Sequence, residues 1–193
     1  MIGDLDIDTR SDFDPMRVFN NVVKASVIKN DELTPHPCGV YFQDIAVDPI
    51  TKLAAIPYDV ADGIYLKFDF LHIHIYNYFE SRDEIEQLVN EEPDWNLLLI
   101  NSCVEKLFQI SKHFEVVSKI KPKSVIELAD VIALIRPGKK ELLNLYLKNK
   151  DLARKMLYSK DENQEYSFKK SHAIAYSMVI ILQLHLISAG ILK

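Results

Sequence analysis

The sequence predicts an α+β protein, strands first and helices after, on three observations. Aspartates alternate with apolar residues in "GDLDIDTR" (3–10), and aromatic and β-branched residues crowd "IYLKFDFLHIHIYNYF" (64–79). From Ser81 onward, helix-periodic segments follow one another to the C-terminus. Alternation at period two belongs to a strand and spacing of three and four to a helix. Strands in a run, then helices in a run, is the α+β order. With 193 residues and 48% hydrophobic content, the chain can bury a core, which excludes a disordered protein.

Residues 2–8 read as a short strand. In "DPMRVFNNVVKASVIK" (14–29), apolar residues at 16, 18, 19, 22, 23 and 27 predict a helix capped by Asp14 with Pro15 in its first turn. "HPCGVYFQDIAVD" (36–48) reads as a loop entering a strand. "KLAAIPYDV" (52–60) reads as a strand interrupted at Pro57, which favours an edge or a bulge. The first half of 64–79 is a strand by composition. "SRDEIEQLVN" (81–90) predicts a helix with Ser81 as cap and acidic residues in its first turn. Further helices are predicted in "NSCVEKLFQISKHFEVVSKI" (101–120), "SVIELADVIALI" (124–135), "KKELLNLYLKNKDLARKMLY" (139–158) and "SHAIAYSMVIILQLHLI" (171–187). "RPGK" (136–139) breaks the pattern.

The net charge of -5 conceals a split: residues 1–100 carry 7 Lys/Arg against 19 Asp/Glu, and residues 101–193 carry 16 against 9. Two regions follow, an acidic α+β region at 1–100 and a basic helical region at 101–193, packed together or fused in one domain. The basic half suits phosphates, and equally suits solvated helix faces. Two cysteines, Cys38 and Cys103, offer no disulfide framework and fit a reducing, cytoplasmic setting. The acidic N-terminus does not read as a signal peptide. "SMVIILQLHLISAGIL" (177–192) contains Gln183 and His185 and falls short of the roughly 20 apolar residues a span needs, so it reads as a buried helix, with no membrane partner.

The aspartates carry the chemistry. On one strand, Asp4, Asp6 and Asp8 share a face; in "YLKFDF" (65–70), Lys67 and Asp69 share a face opposite Leu66, Phe68 and Phe70. If the two strands are neighbours, Asp69 approaches Asp6 and Asp8, and three gathered carboxylates repel unless divalent cations sit between them. Mg²⁺ (or Mn²⁺) suits such a cluster plus substrate phosphates. Two ions about 3.5–4 Å apart activate a 3′-hydroxyl and stabilise leaving pyrophosphate, the chemistry of nucleotidyl transfer. The bland alternative is a solvated acidic edge. His72 and His74 form an H-x-H pair, but on a strand both face away from Asp69. His36 and Cys38 are too slight a pair to argue a thiol nucleophile.

These segments resemble the bacterial DNA polymerase III alpha subunit, a family C DNA polymerase. "GDLDIDTR" is similar to its alternating-aspartate palm strand, "HPCGVYF" to its His-Ala-Ala-Gly-Val-Val segment, and "YLKFDFLHI" to its Val-Lys-Phe-Asp-Phe-Leu-Gly-Leu strand. In the helical half, "KLFQIS", "IELADVIALIRPG" and "SFKKSHAIAYSMV" are similar to family segments in the same order, so the likeness runs from residue 3 to about 188. It implies a nucleotidyltransferase-like palm with a small mixed sheet, condensed and followed by part of the fingers. It makes Asp6, Asp8 and Asp69 the catalytic metal ligands and places Lys67, Arg136, Lys170 and His172 near nucleotide or DNA. Lys67 equally fits a structural ion pair, and Lys169, Lys170 and His172 equally fit the start of a helix capped by Ser171.

The departures are substantial. The chain begins too late for the family's Gly-Ser-rich phosphate-binding segment, the fingers are condensed, and His72 replaces a glycine. The expected function is therefore a polymerase III alpha-like palm in DNA replication, incomplete alone and completed by a partner chain. Its partners would be DNA, nucleotide and a complementary polymerase chain or replication proteins. The alternative is a non-catalytic relative that binds nucleic acid or the replisome. Either would suit a phage genome.

Overall fold

The computed structural model describes residues 4–159 and 170–192. The chain mixes helices with one small four-stranded mixed sheet, and it divides into two compact units at Phe79/Glu80, rather than at the charge boundary near residue 100. In order, the first unit holds β1 (Leu5–Thr9), α1 (Pro15–Val18), β2 (Val23–Lys29), β3 (Glu32–Tyr41), α2 (Tyr58–Ala61) and β4 (Phe68–His72), then a 3-10 turn at His74–Tyr78. The sheet order is β1-β4-β3-β2. β1 runs parallel to β4, while β3 is antiparallel to both β4 and β2.

Alternation decides what each face of this sheet buries. Phe68 and Phe70 leave β4 on the side opposite Asp69 and join Phe13, Phe19 and Phe42, with ring centroids 5.0–6.2 Å apart in edge and tilted contacts. Ala25, Tyr41, Ile45, Ala54 and Ala61 form a second apolar cluster. Three readings differ in this unit. The loop-then-strand order expected over 36–48 is reversed, since β3 runs to Tyr41 and irregular chain follows it. The helix expected over 14–29 stops at Val18, because Asn21 takes a left-handed turn (φ 57°) and the β-branched stretch after it pairs with β3. The strand expected over 52–60 is a single bridge, Val47 with Ala54, followed by the short helix α2 beyond Pro57.

The second unit is helical: α3 (Arg82–Asn90), α4 (Asn101–Val104), α5 (Phe114–Ile120), α6 (Val125–Leu134), α7 (Leu143–Lys148), α8 (Lys150–Leu157) and α9 (Lys170–Ser188). Ser81 and Ser124 cap α3 and α6 by accepting from the backbone N–H groups of Glu84 and Glu127. The helix expected over 101–120 is broken where Gln109 takes φ 64°, and the one over 139–158 is broken at Asn149, which caps α8 through the Leu152 N–H. Leu98, Leu107, Leu128, Ile132, Tyr146, Ile180 and Leu184 sit in one core, with α6 packed on α9. The helix α9 is long and apolar enough to cross a membrane by length and composition, and half of its apolar window is buried inside the protein. Gln183 is satisfied there, accepting from the Phe108 N–H at 2.7 Å and donating to the Lys106 carbonyl at 3.1 Å.

Candidate functional site

The parallel pairing of β1 with β4 sets Asp6 opposite Asp69, and Asp4, two residues before Asp6, lies beside Lys67. Paired residues of parallel strands point to the same face, so Asp4, Asp6, Asp8, Lys67 and Asp69 share one side of the sheet. Asp6 and Asp8 are exposed on the edge strand, whereas Lys67 and Asp69 are buried on the inner strand at 4% and 8% exposure. That contrast matters electrostatically: a buried charge needs a partner, and an exposed one has water.

Lys67 meets that need. Its Nζ donates to Asp69 Oδ2 at 2.5 Å and lies 3.1 Å from Asp4 Oδ2, with the Tyr58 ring 5.6 Å away as a further cation-binding face. Burial alone would push the Lys67 pKa down; the hydrogen bonds and charges of Asp69 and Asp4 outweigh it and leave the ammonium held above its ordinary value. Asp8 is treated differently. Although Asp8 reaches solvent, partial desolvation beside Tyr76 raises its carboxyl, the neighbouring Asp6 charge adds to the rise, and the Tyr76 hydroxyl, donating to Oδ2 at 3.1 Å, opposes it.

The other oxygen of Asp69 faces β3. Among the described residues Oδ1 has no hydrogen-bond partner, although it is buried. It lies against Gly39, where an added Cβ would come within 3.0 Å of it. Around it stand His36, with Nδ1 3.8 Å from Oδ1, and Cys38, whose Sγ is 3.9 Å from the same Nδ1. A bulge makes this cluster. Between the pairs Ser26–Pro35 and Lys24–Val40, β3 advances five residues while β2 advances two. The surplus cannot stay in the ladder with β2, so the chain bulges at "HPC" while Gly39 keeps its pairing with Asp69, and both His36 and Cys38 come to lie near Asp69.

The Gly39 N–H donates to His36 Nδ1 at 2.9 Å, so that nitrogen carries a lone pair and the ring is neutral. Burial and then the Lys67 charge hold the imidazole pKa below its usual value, against Asp69. The Cys38 thiol is pushed up to about 11, by burial first and then by the Asp69 charge, with Lys67 and Lys24 opposing. Lys24 also ties the bulge down, donating to the Pro37 carbonyl at 3.2 Å. His36 and Cys38 carry little weight in the sequence because neither spacing nor alternation announces a bulge.

The remaining predicted positions belong to the second unit. Arg136 donates to Gln109 Oε1 at 2.8 Å, Lys170 lies over the Tyr158 ring at 5.8 Å, and His172 is half-buried. Lys170 and His172 are already within α9, and Lys169 lies outside the described residues. His72 ends β4 with Nδ1 3.3 Å from the Arg10 carbonyl, and His74 begins the 3-10 turn beside Asn77, so the H-x-H pair does not lie on one strand. A cleft bounded by Thr9, Arg10, Asp12, Phe13, Asp14 and Arg17 lies past the end of β1. No protein-family model matches the chain, and no curated protein matches its sequence.

Proposed function

We propose that the first unit is a nucleotidyltransferase-like palm of the family C polymerase type. In this reading it binds Mg²⁺ or Mn²⁺ through Asp6, Asp8 and Asp69 and takes part in nucleotidyl transfer on DNA with a complementary chain. One observation carries the reading: Asp6 is in register with Asp69 across a parallel strand pair, with Asp8 two residues further on the same face. The donor set fits the ion, being all carboxylate oxygen. When bound, the ion lowers the pKa of an attacking hydroxyl and screens phosphate charge. Tyr76 holds the orientation of Asp8, and Lys67 supplies positive charge beside the acids for an anionic substrate. Arg136, Lys170 and His172 are the proposed contacts to nucleotide or DNA.

A second reading, a non-catalytic relative that binds nucleic acid or replication proteins, draws on the Lys67–Asp69 ion pair. There the protein's own ammonium already satisfies Asp69 Oδ2. Two measurements separate the readings. Mg²⁺ or Mn²⁺ should raise the Tm of the wild type and not of Asp6→Ala/Asp8→Ala; a ligand at a hundredfold its Kd stabilises by about 2.7 kcal/mol. No shift for either ion rejects the metal site. Primer extension, alone and with candidate partner chains, then tests transfer. A metal-dependent shift and salt-sensitive DNA binding without nucleotide incorporation leave the second reading.

A further inference from the structure

We propose that His36, Cys38 and Asp69 form a second cation site, for a borderline-soft divalent metal such as zinc, distinct from the hard carboxylate pair Asp6 and Asp8. The proposal shares Asp69 with the palm reading but does not rest on it. Their candidate ligand atoms all lie within 4.8 Å of one another. Zinc bonds of about 2.0–2.3 Å put tetrahedral neighbours about 3.3–3.6 Å apart, so the 3.8 and 3.9 Å edges at His36 Nδ1 need only a few tenths of an ångström of contraction. Thiolate and imidazole donors select zinc over Mg²⁺, which prefers an all-oxygen shell.

An independent observation points to a missing ligand. The Asp69 side chain is 11% exposed, and its Oδ1 faces this cluster without a well-formed hydrogen bond among the described residues. Oδ2, on the other side, stays with Lys67. The two oxygens thus face different neighbours, and the metal would take the one the protein leaves uncompensated. The lone pair on His36 Nδ1 is present, and binding would exchange its hydrogen bond from Gly39 for a metal bond. As sulfur binds, the Cys38 proton leaves to solvent, so affinity rises with pH. Lys24 and Lys67 face the thiol and favour its thiolate, while burial and the Asp69 charge oppose it. Three protein ligands leave a fourth position for water, the composition of an open zinc site.

Cobalt(II) tests this in the full chain, because a cobalt–thiolate bond gives a charge-transfer band in the near ultraviolet. We expect the band to saturate at one cobalt per chain, to bleach on adding zinc, and to persist in excess Mg²⁺. Cys38→Ser should remove it and Cys103→Ser keep it; His36→Gln should weaken binding at least tenfold. Asp6→Asn should leave the band intact even though it disables the carboxylate site, so failure of one proposal is distinguishable from failure of the other. A measurement on the wild type avoids any folding defect: zinc should slow alkylation of Cys38, followed by mass spectrometry, without slowing that of Cys103. No cobalt band, a band that survives Cys38→Ser, or equal alkylation of Cys38 with and without zinc would each overturn the proposal.

Discussion

Gly39 lies directly against Asp69: the two are paired across β3 and β4, and a methyl group on Gly39 would reach 3.0 Å from Asp69 Oδ1, 2.9 Å from Lys67 Cδ and 2.8 Å from His36 Nδ1. The closeness comes from packing rather than from an unusual backbone angle. Gly39→Ala should therefore act as an overpacking change, costing about 1–3 kcal/mol. Urea unfolding followed by circular dichroism measures it. Unchanged stability would mean that the bulge yields freely and does not hold His36 and Asp69 together.

Lys67 is the counter-charge of this face, and its loss leaves Asp69 buried and unpaired. Lys67→Met should cost about 3–5 kcal/mol, and adding Asp69→Asn should recover much of that by removing the stranded charge. The pH sign follows from the raised pKa of Lys67. The pair's stabilisation is fully present below the ordinary lysine value of about 10.5 and is lost as pH rises through the higher folded value. Thermal melts from pH 8 upward should show an alkaline decline in the wild type that Lys67→Met lacks.

Asp8 has the same sign in a lower pH window. Its folded pKa is raised above the ordinary 3.8, so the folded state binds the proton more tightly and stability falls as pH rises through that window. Without metal at pH 7, Asp8→Asn should melt higher than the wild type, since an amide avoids the desolvated charge and still accepts from Tyr76. The advantage should shrink below pH 4. In Mg²⁺ the order should reverse if Asp8 holds the ion. A lower Tm for the metal-free variant would show that Asp8 is stabilising rather than strained.

The sequence made the acidic face legible because alternation is local: Asp6 and Asp8 share a side by geometry, and Asp69 sits opposite Phe68 and Phe70 for the same reason. The parallel register that sets Asp6 against Asp69 is a non-local fact, visible only once β1 and β4 pair. The bulge was out of reach for a related reason, since its surplus is defined against β2 and no property of "HPCG" alone measures it. The stretch 14–29 misled differently. Apolar residues at 16, 18, 19, 22, 23 and 27 fit a helix by coincidence, while the β-branched run after Asn21 gains more from sheet pairing. In "VIELADVIALI", Asp130 interrupts an apolar run, and its partners lie on later helices.

Those partners make Asp130 the strongest test of the second unit. Its carboxylate is fully buried in α6 and accepts from Tyr146 at 2.7 Å, Arg154 Nε at 2.7 Å and Tyr158 at 3.1 Å, so one acid ties α6 to α7, α8 and the residue after it. The hydrogen bond and charge of Asp130 hold the Arg154 pKa above its ordinary value, against partial burial. Asp130→Ala removes the acceptor from three donors at once and should cost about 3–5 kcal/mol, whereas Tyr158→Phe removes one neutral donor and should cost about 1 kcal/mol. Trp95, the only tryptophan, packs on this core, so its fluorescence follows the unit directly. Equal shifts from the two variants would mean that Arg154 and Tyr146 find other acceptors and that the buried acid is not the keystone of these helices.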